Sequence, residues 1–142
     1  MRRLDLGCGN RKHEGYIGID FEYKEGVDIV RDLEKGLPFD DESIDEIFAS
    51  HILEHLKELN FVMEECFRVL KKNGIMRIIV PHAATLEAIR DPSHVRFINE
   101  QTFHYFTQPW ATQEANFKTK CDFEIVKRMR NGFEIWVELR KK

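Results

Sequence analysis

The sequence predicts an α/β fold, Rossmann-like and mostly parallel, closed by a C-terminal antiparallel hairpin. Short apolar runs ending in acids recur over the first 50 residues, an apolar stripe at helical spacing follows, and a strictly alternating segment closes the chain. With 142 residues there is chain for one domain, 1–142, and 42% hydrophobic against 33% charged side chains is the composition of a packed globule. No apolar run approaches the roughly 18–20 residues of a membrane span, and Met1-Arg2-Arg3-Leu4-Asp5 lacks a signal-peptide core. Cys8, Cys66 and Cys121 have no metal-ligand spacing and are odd in number, which points to a reducing cytoplasm. A net charge of −3 gives no case for a nucleic-acid partner. Residues 118–142 hold eight basic against four acidic side chains, read here as a solvated face.

The strands are expected at 2–6, Tyr16–Asp20, Val27–Asp32, Ile44–Ser50 and Ile75–Val80, the last continuous enough to be buried on both faces. Between the fourth and fifth, Ile52, Leu56, Leu59, Met63, Cys66 and Leu70 step by four and three, one stripe of core on one helix. Ser50 reads as its N-cap, Lys71, Lys72 and Gly74 as its end, and Lys57-Glu58 as the place where it could break. Phe133, Ile135, Val137 and Leu139 alternate with polar neighbours and Trp136, residues 121–130 form the other arm, and Asn131-Gly132 supplies a type I′ turn.

The chemistry begins at Leu4-Asp5-Leu6-Gly7-Cys8-Gly9-Asn10. A strand running into Gly-x-Gly lets backbone approach a ligand closely, because neither glycine carries a Cβ. Three acids stand in register with it: Asp5 before Gly7, Asp20 ending the second strand and Asp32 ending the third. In a parallel sheet those ends share one edge, where ligands of open α/β folds bind. A carboxylate ending the second strand can accept two ribose hydroxyls, and one ending the third an adenine amino proton. The dinucleotide fingerprint fails, since its third glycine would fall at Lys12.

These residues, with Gly18-Ile19-Asp20, Asp32-Leu33 through Leu37-Pro38-Phe39, Ser43-Ile44-Asp45 through Ser50-His51-Ile52-Leu53-Glu54-His55, and Phe67 through Gly74, resemble the class I S-adenosylmethionine-dependent methyltransferases, in their small-molecule branch. The likeness runs from Leu4 to about Val80. It implies S-adenosyl-L-methionine as cofactor, with backbone at Gly7, Cys8 and Gly9 around the methionine portion and Asp5 near its amino group. It further implies Asp20 on the ribose, Phe21 against the nucleoside, Asp32 with Leu33 at the adenine, and Ser50 and His51 beside the donor methyl. His51 and His94 are the candidate bases for an acceptor that must lose a proton, with His82 a third.

The chain departs from that pattern in two ways. Arg11 stands at the usual third glycine, and only nine residues (7–15) and six (21–26) join the first three strands, where a parallel crossover takes about a dozen. Flanking helices are therefore expected to be missing, including any before the first strand, leaving one sheet face short of cover. Residues 97–117, with six of the chain's 16 aromatics, are expected to fold over that face or over the ligand edge; otherwise a second subunit does so, and a homodimer is the favoured arrangement. No Asn-Pro-Pro-Tyr-type signature follows the fourth strand, where Ala49-Ser50-His51-Ile52 stands, which favours a small-molecule acceptor. Two other functions use the same residues. One is a non-catalytic S-adenosylmethionine-binding subunit working through a partner. The other is a zinc hydrolase, because His51-Ile52-Leu53-Glu54-His55 matches H-x-x-E-H; no third ligand stands out in the sequence, and no metal is expected.

Overall fold

A computed structural model describes all of residues 1–142. Seven strands form one sheet: β1 (Arg3–Leu6), β2 (Ile17–Asp20), β3 (Ile29–Val30), β4 (Ile44–Ser50), β5 (Leu70–Pro81), β6 (Phe123–Asn131) and β7 (Glu134–Lys141), in the order β3-β2-β1-β4-β5-β7-β6. β1 to β5 run parallel, and β7 pairs antiparallel with both β5 and β6. The mostly parallel sheet with a terminal hairpin stands as the sequence predicts.

No helix joins β1 to β2 or β2 to β3. Side chains replace the missing crossovers. Asp5 accepts the His13 N–H at 2.9 Å and also binds His13 Nδ1, and the imidazole lies edge-on to Phe48 at 4.3 Å. Asp28 accepts the Gly18 N–H at 2.7 Å and pairs with Lys12 at 2.8 Å. β3 is consequently only two residues long, shorter than the expected Val27–Asp32, and a short edge strand offers little template for aggregation.

The apolar stripe divides. α1 spans Leu59–Val69 and buries Leu59, Val62, Met63, Cys66 and Val69, while Leu53–His55 is a separate 3-10 turn and Leu56 is extended. The break at Lys57-Glu58 is a tertiary product: the Glu54 carbonyl accepts the N–H groups of Val95 and Arg96, Arg96 also binds the carbonyls of Leu56 and Lys57, and Glu58 N–H donates to Glu34 Oε1 at 2.7 Å. Ser50 is therefore the last residue of β4 and not an N-cap. Nor does Gly74 end the helix. Residues 70–74 enter β5 through a bulge in its pairing with β4, and a Cβ on Gly74 would meet the Lys71 carbonyl at 2.8 Å. At the hairpin the two central residues are Gly132 and Phe133, with only Gly132 at positive φ, the pattern of a type II′ turn where I′ is expected.

One sheet face carries the core. Leu4, Leu6, Ile47, Ala49, Met76, Ile78, Val80, Ile135, Val137 and Leu139 are buried on the face against which α1 packs. The 97–117 segment packs beside α1 on this same face, correcting the expectation that it covers the other face or the ligand edge. Phe103 and Phe106 join the core, Phe67 of α1 meets Phe123 edge-on at 5.1 Å, and Arg128, paired with buried Val137, reaches the Glu100 carbonyl. The opposite face stays open over β4–β7, where Ile79, Met129 and Trp136 lie among Arg77, Glu46 and Glu138, with Trp136 41% exposed.

Phe103 and Trp136 separate these faces experimentally. Phe103→Ala should cost about 3–5 kcal/mol in urea unfolding, as for a fully buried aromatic, and Trp136→Ala about 1 kcal/mol or less. Equal losses would place the core on the wrong side of the sheet.

Candidate active site

At the carboxyl ends of β1–β4 opens a cavity of about 700 Å³. Gly7 follows β1, Asp20 and Phe21 leave β2, Asp32 and Leu33 follow β3, and His51 and Ile52 leave β4; all line it. The sequence brings these residues together only through parallel register: Leu4 stands opposite Ile17 and Ile47, and Ile19 opposite Ile29, so four strand ends share one edge.

Asp20 is 6% exposed and both its oxygens are engaged, Oδ2 accepting Gly9 N–H at 2.9 Å and Oδ1 accepting Glu22 N–H at 3.2 Å. Each carboxylate oxygen has a second lone pair to offer a ligand. Gly7 and Cys8 both donate to the Ile19 carbonyl, at 2.8 and 3.2 Å. The turn's three amides thus point inward, and what it presents to a ligand is bare backbone. Gly7 has φ +64, and a Cβ there would strike the Ile52 side chain at 2.8 Å, so only glycine fits. Phe21 is exposed at the cavity wall, Leu33 is buried there, and Asp32 caps the 3-10 turn Leu33–Lys35 by accepting Glu34 N–H at 2.9 Å.

Asp5, Cys8 and Ser50 do not line this cavity. They line a neighbouring one of about 450 Å³ with Arg11, His13 and Phe48, and Gly7 borders both. Asp5 is buried with Oδ2 committed to His13. Cys8 is buried, and desolvation, then the charges of Asp5 and Asp20, push its thiol pKa up, so it is no nucleophile. His82 is engaged by Glu100 at 3.0 Å and by Ala84 N–H, away from the cavity.

Arg31, Glu34 and Ser93 also line the cavity without any signal in the sequence, and His55, expected only as a zinc ligand in H-x-x-E-H, joins them. Leu56, expected as helix core, lines the cavity because the chain is extended there and α1 begins only at Leu59. Ser93 arrives from 40 residues downstream, where no local signal marks it. His94, expected as a base, stands behind His55 with ring centroids 4.8 Å apart. Glu54 is 2% exposed, with His51 Nδ1 and His55 Nε2 at 3.6 and 3.8 Å.

His51 sits at φ +54, which turns its ring toward Glu54 on one side and Glu134 on the other. The Glu54 carboxylate and then Glu134 outweigh the opposing desolvation and hold the imidazole pKa above its ordinary value.

Residues 11–78 match the family described as a methyltransferase domain. A protein of Mycolicibacterium smegmatis named a probable S-adenosylmethionine-dependent methyltransferase is 31% identical over 122 residues, covering 68% of this chain and 46% of that protein. The chain thus spans just under half the length of this relative. An S-adenosylmethionine-dependent methyltransferase of Thermotoga maritima superposes with a TM-score of 0.71 at 17% identity, covering 99% of this chain and 82% of that one. The [4+2]-cyclase SpnF superposes with a TM-score of 0.67 at 17% identity, covering 99% and 75%, so the architecture alone does not specify a reaction. The matched domain, the relative and the shared fold together support a class I S-adenosylmethionine-dependent methyltransferase, with S-adenosylmethionine as the cosubstrate that family implies.

The His51 assignment has a defined pH signature. Its folded pKa exceeds the unfolded value of about 6.5, so its stabilising charge is fully present below that pH and is lost as pH rises through the raised value. NMR titration in chelator should find His51 titrating above 6.5, and Glu134→Gln should lower the midpoint. A midpoint below 6.5 would show that burial prevails.

Proposed function

We propose that the chain binds S-adenosylmethionine in the larger cavity and transfers its methyl group to a small-molecule acceptor. The observation that supports this most is that Gly7, Asp20, Phe21, Asp32 and Leu33, from the ends of three adjacent parallel strands, line one cavity with His51 from the fourth. Asp20 would take the ribose hydroxyls on its remaining lone pairs, Phe21 would lie against the nucleoside, and Asp32 with Leu33 would meet the adenine. The backbone of Gly7, Cys8 and Gly9 would pass the methionine portion, with Asp5 Oδ1 free for its amino group and Ser50 bordering the donor methyl.

The reaction needs little from the protein beyond alignment and exclusion of water, because the sulfonium is already activated. A lone pair of the acceptor forms a bond to the methyl carbon while the C–S bond breaks, and its electron pair returns to sulfur to leave a neutral thioether. An acceptor bearing a proton gives it to water or to a base. Of the two cavity-lining imidazoles, His51 would stand beside the methyl in this reading, and its raised pKa makes it a base only above that value. His94 lies a layer further back.

Calorimetry with S-adenosylmethionine, its demethylated product and NAD tests the binding reading. The first two should bind and NAD should not. Asp20→Ala should weaken binding by roughly 2–4 kcal/mol, about 30- to 1000-fold, through two lost charge-assisted hydrogen bonds. A parallel thermal melt is needed, since Asp20 also holds Gly9 and Glu22. A folded Asp20→Ala chain that binds as well as wild type would refute the ribose assignment.

The same reading includes a homodimer in a reducing cytoplasm, supported by three buried, unpaired thiols and by the open sheet face. Arg77, Glu46, Glu138, Lys127, Arg140 and Glu124 interleave both signs around Ile79, Met129 and Trp136, a self-complementary surface for a twofold contact. Sedimentation velocity should show dimer at high concentration and its loss in Trp136→Lys. Wild type that stays monomeric would remove the dimer.

A further inference from the structure

We propose that Glu54, His55 and His94 bind a divalent transition-metal cation behind the wall of the cavity. Potential ligand atoms of these three residues lie within 4.8 Å of one another. Glu54 is 2% exposed, yet both its carboxylate oxygens lack any hydrogen-bond partner. His51 Nδ1 stands 3.6 Å away, beyond hydrogen-bond distance, and compensates the buried carboxylate only in part, so a directly bound cation would stabilise it further.

The two imidazoles are already set as ligands. His55 Nδ1 is 3.2 Å from the Ser93 carbonyl and His94 Nδ1 is 2.7 Å from the Ala88 carbonyl. A proton on each Nδ1 donates to that carbonyl and leaves the Nε2 lone pair bare, the outer-shell arrangement that orients metal-binding histidines. His55 Nε2 stands 3.8 Å from Glu54 Oε1, close to the roughly 3.4 Å that separates donors around a tetrahedral zinc with bonds of about 2.1 Å. Asp91 Oδ2, 3.6 Å from His94 Nε2, adds an exposed oxygen at the rim. The Glu54 carbonyl accepts Val95 and Arg96 N–H, so backbone bonds tie the strap bearing His94 to the turn bearing Glu54 and His55.

This set differs from the one H-x-x-E-H suggests. His51 Nε2 is taken by Glu134, and His94, remote in sequence, supplies the second imidazole. Two imidazoles with a carboxylate suit zinc, iron, cobalt or nickel better than magnesium or calcium. Three protein ligands leave a coordination position open, and His55 and Ser93 line the cavity. A cation here would hold an oxygen or nitrogen donor of the methyl acceptor; that role rests on the methyl-transfer reading, whereas the site rests on its own geometry.

Chelator-stripped protein titrated with Co²⁺ should take up one equivalent and show the visible bands of a four- or five-coordinate ion. Glu54→Gln and His94→Gln should each weaken uptake by about 100-fold or more, the upper end for loss of a merely outer-shell partner. No stoichiometric uptake, or uptake unchanged by His94→Gln, overturns the site. Should a variant unfold, ¹⁵N spectra of wild type with Zn²⁺ decide: Nε2 of His55 and His94 should shift while their Nδ1 stay protonated, and movement of the His51 and His55 rings alone would overturn the assignment. Acetohydroxamate should alter the cobalt bands, and unchanged bands would mean a closed site and sink the acceptor role. S-adenosylmethionine calorimetry on stripped protein is scored separately, so either reading can fail alone.

Discussion

The bond from Gly9 N–H to Asp20 Oδ2 ties the first turn of the chain to the end of β2, and the cavity is built around that tie. With Gly7 and Cys8 both donating to Ile19, the turn is held by three amides to two consecutive residues of the neighbouring strand. Glycine at positive φ is what allows so tight a path, and Ile52 fills the space a side chain on Gly7 would need. The same carboxylate that fixes the loop lines the cavity, so under the proposed reading one residue would serve both structure and binding.

Dispensing with two crossover helices has consequences across the sheet. Asp5, Asp28, Lys12 and His13 do in hydrogen bonds what helix packing does elsewhere in a parallel sheet, and they tie the loops down over β1 and β2. Over β4–β7 no element of the same chain takes that role, and ion pairs such as Arg77 with Glu46 and Glu138 lie across the open face. The aromatic-rich segment is unavailable because Phe103 and Phe106 are committed to the core beside α1.

The break between Leu56 and Leu59 serves the site directly. A continuous helix would have carried His55 and Leu56 along the α1 axis, away from the strand edge. The strap at 93–96 captures the carbonyls of Glu54, Leu56 and Lys57 instead, and the segment turns so that Ile52, His55 and Leu56 line the cavity with Glu54 sealed behind them.

Much of this was legible in the chain. Runs of Leu, Ile and Val ending in Asp5, Asp20 and Asp32, the glycine turn, and the alternation from Phe133 to Leu139 follow from local periodicity, which backbone geometry imposes on neighbouring residues. Hence the sheet and Gly7, Asp20 and Asp32 of the larger cavity could be read without coordinates, whereas Phe21 and Leu33 followed only from the family resemblance and Arg31 from neither. Tertiary structure alone decided which face Phe103 covers, where the helix breaks, that Asp5 turns toward His13, and that His94 meets Glu54 and His55. Each of those depends on contacts between residues from eight to forty or more positions apart, and no short-range pattern of hydrophobicity or charge encodes which partner a side chain will find.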